Sequence, residues 1–267
     1  MIKVNHEYVV YIARQLKERS GNLPDFKGLD YGCGTGEVVE MALALGVQMS
    51  GVDVFCAGSK DKEIVKEKGQ LWENVFSMAD GRIPYPDKHF DLVTANQVLE
   101  HVADLESVIS EIARVLKPGG HLLALLPTKG NLWEAHMSLP LAHWFPKGSK
   151  ARVSWVFAWR CLGFGDNKDG KSRWEWTKHV LSWLDTYCFY RSRQEIQSSL
   201  GAFFDVTSLE REYIKFRKRK SWRWRILAPF PKTLGAGVNA TIFRMVAGSV
   251  FLARKKPSGY HIPRKAW

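Results

Sequence analysis

Nowhere does the 267-residue sequence hold a run of 18 apolar residues, which excludes a simple membrane-spanning helix. Cysteine is sparse: Cys33, Cys56, Cys161 and Cys188 form no C-x-x-C pair and no metal-type spacing. They read as reduced thiols of a cytosolic protein. No Asp/His grouping calls for a metal either. A signal-peptide apolar region is missing near the start, where Glu7, Arg14 and Lys17 interrupt the pattern. Acidic residues are scarce in one half only. Residues 1–128 hold 13 Lys+Arg against 18 Asp+Glu, whereas residues 129–267 hold 26 against 9. Ten of the 11 tryptophans also follow residue 128. That asymmetry, within a net charge of +12, points to an anionic partner for the second half.

What is present begins with glycine. Leu29-Asp30-Tyr31-Gly32-Cys33-Gly34-Thr35-Gly36 sits between an apolar run, Phe26 to Tyr31, and a helical one, Glu37 to Leu45. Glycine lets the backbone turn sharply and lie against a ligand. The helix N-terminus beyond the turn offers free N–H groups to a carboxylate or phosphate. A nucleotide-like ligand fits this pattern, and a tight strand–helix turn without a ligand is the plain alternative. The dinucleotide fingerprint G-x-G-x-x-G fails, because Glu37 stands where its third glycine belongs. Asp30-x-Gly32-x-Gly34-x-Gly36 instead resembles motif I of the class I S-adenosyl-L-methionine (SAM)-dependent methyltransferases.

The chain around this turn alternates strand and helix. Residues 5–19 carry Tyr8, Val9, Ile12, Ala13 and Leu16 at helical spacing. Val47 to Val54 is a second strand with Asp53 at its tip, suited to accept both ribose hydroxyls of an adenosine. A solvated strand-end aspartate is the alternative. Val75 to Met78 is a short third strand, followed by Asp80 in Ala79-Asp80-Gly81. Phe90 to Asn96 is an apolar fourth strand, as expected of a parallel strand covered on both faces. Asp104 caps a helix with Leu105, Val108, Ile109, Ile112, Val115 and Leu116 in one stripe. Lys117-Pro118-Gly119-Gly120 ends that helix, and His121 to Leu126 is the fifth strand.

The run from Phe90-Asp91-Leu92-Val93 through Leu99-Glu100-His101-Val102 to Lys117-Pro118-Gly119-Gly120 looks like the small-molecule branch of the same methyltransferases. The resemblance covers roughly residues 25–128. It implies a Rossmann-like α/β fold with a seven-stranded sheet, and SAM at the carboxyl ends of its strands. Gly32 and Gly34 would approach the methionine part through their backbone, and Asp53 would bind the ribose. Asp80 would meet the adenine amine or merely cap its loop. Asn96 and Gln97 would line the cleft near the transferable methyl. His101 would contact substrate, act in catalysis, or simply cap a helix.

Residues 129–190 form an insertion too long for a plain connection. Its opening holds Glu134-x-His136, Leu139-Pro140 and Trp144-x-Pro146, and resembles an insertion of methyltransferases in bacterial surface-glycan biosynthesis. Glu134 and His136 suit an acid–base pair, the carboxylate orienting an imidazole that takes a hydroxyl proton. A packing ion pair in a lid is the alternative. Aromatic residues from Trp155 to Tyr190 suit sugar rings, lipid interfaces or stacked bases, and equally a small core. Ser192 caps a helix from Arg193 to Leu200. Phe203 to Leu209 and Gly248 to Arg254 are then an antiparallel edge pair.

Between that pair lies an insertion, residues 211–247. It carries Lys215, Arg217, Lys218, Arg219, Lys220, Arg223 and Arg225 among Phe216, Trp222 and Trp224, then an apolar stretch. Residues 215–225 thus describe an element lying on an anionic membrane surface. An RNA-binding strip and a solvated basic loop are the other readings. The expected organisation is a SAM-binding core over 1–128 and a lid over 129–190. Residues 191–267 complete the core. The expected protein is a cytoplasmic methyltransferase, peripheral on the inner face of the membrane, that O-methylates a glycan or other amphipathic acceptor. Its catalytic residues would be His136, Glu134 and His101. A soluble natural product is the alternative acceptor, and RNA is disfavoured because Asn96-Gln97-Val98-Leu99 lacks the N/D-P-P-Y-like strand end of many base N-methylating enzymes.

Overall fold

The computed structural model describes residues 2–21, 24–56, 59–70, 73–220 and 236–257. Helix α1 (Ile2–Ser20) leads into β1 (Lys27–Tyr31), α2 (Glu37–Ala44), β2 (Gln48–Asp53), α3 (Asp61–Glu67) and β3 (Val75–Ser77). Strand β4 (Phe90–Asn96) follows, then a 3-10 turn at Leu99–His101, α4 (Leu105–Val115) and β5 (Leu116–Leu126). The sheet has seven strands in the order β3-β2-β1-β4-β5-β9-β8, with β8 (Phe204–Ser208) and β9 (Ser249–Lys255) at one side. This is the Rossmann-like α/β architecture that the first half of the sequence implies. The order reverses between β1 and β4, so the crevice at the carboxyl ends of those two strands is where such sheets take ligands.

Burial explains the strand compositions. Leu29, Leu92, Val93, Leu122 and Ala124 lose all solvent contact, because helices cover both faces. One apolar cluster joins the sheet to α4 and α7 (Arg193–Gly201); the other joins it to α1 and α2. Each fully buried Leu or Val there contributes about 1.5–3 kcal/mol. Local chemistry sets the helix ends. Asp104 accepts the Ser107 amide, and Ser192 and Glu195 form a reciprocal capping box.

The expected antiparallel edge pair is present: β9 lies between β5 and β8 and runs antiparallel to both, which leaves β8 at the edge. Two features depart from the sequence reading. Lys117 to Gly120 does not simply stop α4. The strand already begins at Leu116, and a register irregularity between Phe90 and Leu92 absorbs the extra residues, with Gly119 at φ 78. Finally, part of the 211–247 stretch is core. Helix α8 (Glu210–Lys220) buries Tyr213, Phe216 and Arg217, with Phe216 against Tyr8 and Tyr11 of α1. Helix α9 (Ala236–Ala247) adds Phe243 to the same cluster. Trp222, Arg223, Trp224 and Arg225 lie outside the described residues.

The stretch 129–190 folds around its own apolar cluster. A two-stranded hairpin, β6 (Trp133–Glu134) and β7 (Leu139–Pro140), packs with α5 (Lys150–Cys161) and α6 (Arg173–Tyr187). Met137, Leu139, Val156, Trp176, Val180 and Leu184 are its buried centre. Several of the aromatics therefore build a core, Trp176 above all. Its indole N–H donates to the Asp166 carbonyl at 2.8 Å.

Candidate active site

Two groups of side chains gather at the carboxyl end of the sheet. The first is the glycine turn. The amides of Gly32 and Cys33 both donate to the Val52 carbonyl, at 2.8 and 3.2 Å, which ties the turn to β2. The Asp53 carboxylate accepts the Gly34 amide at 2.9 Å and the Phe55 amide at 2.8 Å. Gly36 precedes α2 at φ 77, a conformation that favours glycine. Gly32 and Gly34 differ in what faces them. A Cβ on Gly32 would stand 2.5 Å from the Val98 methyls, whereas one on Gly34 would meet nothing within 4 Å. The open backbone surface is thus at Gly34. Asp30 lies beneath the turn, buried, and accepts the Thr94 hydroxyl at 2.5 Å. Burial, opposed by that hydrogen bond and assisted by the charge of Asp53, pushes its carboxyl up to about 7.

This shift has a consequence for stability. The folded-state value lies above the unfolded one, so the contribution of Asp30 is fully present below about pH 4 and lost as pH rises towards 7. Thermal melts across that window should show a loss in the wild type that Asp30→Asn reduces, the remainder coming from the buried Glu100 carboxyl, which burial pushes up to about 8. An equal pH slope in both proteins would contradict it.

Asn96 and Gln97 end β4. The Gln97 amide group donates to the Leu125 carbonyl at 3.2 Å, so it braces β5. The Asn96 side-chain oxygen is buried with no hydrogen-bond partner among the described residues, the acceptor expected where a ligand donor belongs. Asp80 is exposed in its turn at φ 52.

The second group joins three residues far apart in sequence. Glu134 on β6 is buried and takes four hydrogen bonds. They come from the His136 amide and Nδ1 (3.1 and 2.8 Å), the Met137 amide (2.8 Å) and the Tyr190 hydroxyl (2.6 Å). Burial alone would raise its pKa, but these bonds and the charge of His136 outweigh it and hold the carboxyl below its ordinary value. For His136, burial lowers the pKa, yet the hydrogen bond and charge of Glu134 raise it overall. His101 goes the other way: burial lowers it, against a bond to the Tyr187 carbonyl. That bond is 2.7 Å long from Nδ1. The two Nε2 atoms face each other at 3.2 Å.

His101 is held here by the end of the lid. The Phe189 amide donates to the Glu100 carbonyl at 2.7 Å, and the Arg191 guanidinium donates to the Val102 and Ala103 carbonyls at 2.8 and 2.6 Å. Sequence reasoning named Glu134, His136 and His101, and the fold brings all three together. It missed Tyr190 as the hydroxyl that completes the Glu134 shell, and Cys188, whose buried sulfur lies 4.0 Å from His101 Nδ1. No local spacing signals either contact. A cavity of about 410 Å³ opens beside His136, lined also by Met137, Asn167, Asp169, His179 and Trp183.

A Rossmann-like sheet with a glycine turn, a strand-end acid and a buried acceptor at its switch point defines a nucleotide-site α/β protein. Within that class, residues 29–124 match the family described as a methyltransferase domain. The ubiquinone biosynthesis O-methyltransferase of Yersinia pestis is 34% identical over 109 residues, 39% of this chain and 44% of the relative. The chain therefore spans less than half the length of the curated relatives it matches. Among solved structures, a geranyl diphosphate methyltransferase in complex with SAM aligns over 93% of this chain and 85% of its own, at 17% identity and TM-score 0.48. The geranyl diphosphate C-methyltransferase of Streptomyces coelicolor aligns over 94% and 80%, at 19% and 0.47.

Proposed function

We propose that this protein is a SAM-dependent methyltransferase acting on a hydroxyl of a polar, ring-bearing acceptor, a glycan unit or other amphipathic molecule at a membrane surface. One observation carries the reading. The segment Asn96–His101 packs Val98 on the Gly32 turn and, three residues on, presents His101 to the His136–Glu134 pair. A single stretch thus joins the cofactor turn to an acid–base group. SAM fits the residues of the turn: Asp53 would hold the ribose, the open Gly34 backbone would lie against the ligand, and the Asn96 oxygen would accept a donor. When bound, it supplies an electrophilic sulfonium methyl.

The protein's own contribution is alignment and proton removal. With Nδ1–H of His101 directed at the Tyr187 carbonyl, Nε2 is the basic atom of that ring. The two imidazoles are pushed apart in acidity, the arrangement that separates acid from base roles. A hydroxyl entering from the cavity would meet His136, which lines it. Trp183 offers an apolar face to a ring, and Asn167, Asp169 and His179 offer hydrogen-bonding groups to its substituents.

Lys215, Arg219 and Lys220 are exposed on α8 and Lys218 is half-buried, while Phe216 and Arg217 point inward. At roughly 1 kcal/mol per cation near an anionic surface, replacing Lys218, Arg219 and Lys220 by Gln weakens vesicle binding by on the order of 100-fold. Cosedimentation with phosphatidylserine vesicles measures it. Transfer of labelled methyl from SAM to extracted lipid-linked glycans tests the function itself. Full activity on a water-soluble acceptor, unaltered by those three replacements, would assign a soluble substrate instead.

A further inference from the structure

We infer that His101, His136 and Cys188 form a binding site for a zinc-type divalent cation. The ligand atoms lie within 4.8 Å of one another. The geometry of the imidazoles is the first support. Two nitrogens bound to a tetrahedral zinc at about 2.0–2.1 Å stand about 3.3 Å apart, and the two Nε2 atoms are 3.2 Å apart. Both Nδ1 atoms are already committed, His101 to the Tyr187 carbonyl and His136 to the Glu134 carboxylate. Metal-binding histidines are oriented in this way, the second nitrogen donating to a carbonyl or carboxylate. With both Nδ1–H groups donating, two lone pairs confront each other across the gap. A proton or a cation must occupy it.

Cys188, buried on the lid side with its sulfur 4.0 Å from His101 Nδ1 and within 4.8 Å of a nitrogen of each ring, is the third donor and reaches the ion by rotating its side chain toward the Nε2 pair. Two imidazoles and a thiolate select zinc or another borderline-soft ion over magnesium or calcium. Three protein ligands leave one position open, as in catalytic rather than structural sites. His136 also lines the cavity, so the open position serves a ligand entering there. If the methyltransferase reading holds, that ligand would be the acceptor hydroxyl, whose acidity a bound cation would raise; with both Nε2 atoms on the cation, the proton would leave to solvent and no histidine would act as base.

The test uses the full chain without a histidine tag, stripped with chelator and titrated calorimetrically with zinc chloride, then with cobalt chloride under an absorption spectrometer. The expected result is one equivalent of zinc, with a sulfur-to-cobalt charge-transfer band that Cys188→Ser abolishes. His101→Ala should remove binding. Glu134→Gln, which alters only the group behind His136, should weaken it roughly 10–100-fold. No zinc uptake by the wild type, or uptake unchanged in His101→Ala, overturns the site; a cobalt spectrum without the sulfur band removes Cys188 and overturns the three-ligand form. A parallel SAM titration of the same samples keeps the two readings apart. SAM binding without zinc binding refutes the metal site alone, and zinc binding without SAM binding refutes the methyltransferase alone.

Discussion

Asp53→Ala binds SAM and S-adenosylhomocysteine about 100-fold more weakly than the wild type in a calorimetric titration. The carboxylate is fixed by the Gly34 and Phe55 amides, so it is pre-oriented at the tip of β2 and loses little entropy when a diol arrives. Hydrogen bonds to a charged group are worth roughly 1.5–3 kcal/mol each. Two of them correspond to a factor of 100 or more. The loss has a second source, since alanine also frees the turn that Asp53 pins. Asp53→Asn is the intermediate case: the two amides donate to different carboxylate oxygens, so its single side-chain oxygen keeps one of them while the charge is lost. Affinity unchanged in both variants would remove Asp53 from the site. A folded wild type that binds neither compound would end the methyltransferase reading altogether.

Gly248→Ala has the largest expected effect on stability. Gly248 joins α9 to β9 at φ 96, and a Cβ there would sit 2.4 Å from the Leu126 carbonyl oxygen and 3.1 Å from the Pro127 Cα. Both neighbours are backbone, so no rotamer change relieves the clash. Backbone strain of about 1–3 kcal/mol adds to an overpacking cost of similar size, giving a total of about 3 kcal/mol or more. For a chain of this length that lowers Tm by roughly 6–12 °C. Gly34→Ala is the informative contrast. Its φ is also positive, but the added methyl meets open space, so the cost is only the left-handed conformation, about 1–2 kcal/mol. Equal Tm losses in the two variants would contradict this account.

The parts of the molecule legible in the sequence are those set by neighbours in the chain. Capping is one: Asp104 and Ser192 hold amides three residues away, and their helices begin where those residues predict. The glycine turn is another, because Gly36 and its positive φ are local requirements. Contacts over long separations are different. His101 and His136 are 35 residues apart in sequence and His101 and Cys188 87 apart, and no spacing rule links them. Glu134 and His136 drew notice only because they are near neighbours; Tyr190, 54 residues beyond His136, read as one aromatic among many. The inward side of the basic stretch was hidden for a related reason. Seven cations suggest an exposed strip, but Tyr8 and Tyr11 of α1 cover Phe216 and Arg217 lies buried over the Tyr213 ring, and nothing in residues 211–220 announces those partners. The direction of β9 was legible; its place inside the sheet was not, since strand order depends on which edge β5 leaves open.

That place has a consequence for how the protein is made. Ser249–Lys255 pairs with β5 on one side and β8 on the other, yet it leaves the ribosome after both. Until then the nascent chain carries an open seam along Leu122 to Leu126, an apolar strand whose outer row of amides and carbonyls has no mate. Such a row is a template for foreign strands, and slow, late pairing prolongs the exposure. The sheet therefore closes only when its interior strand arrives, after translation of the more than one hundred residues that separate Leu126 from Ser249.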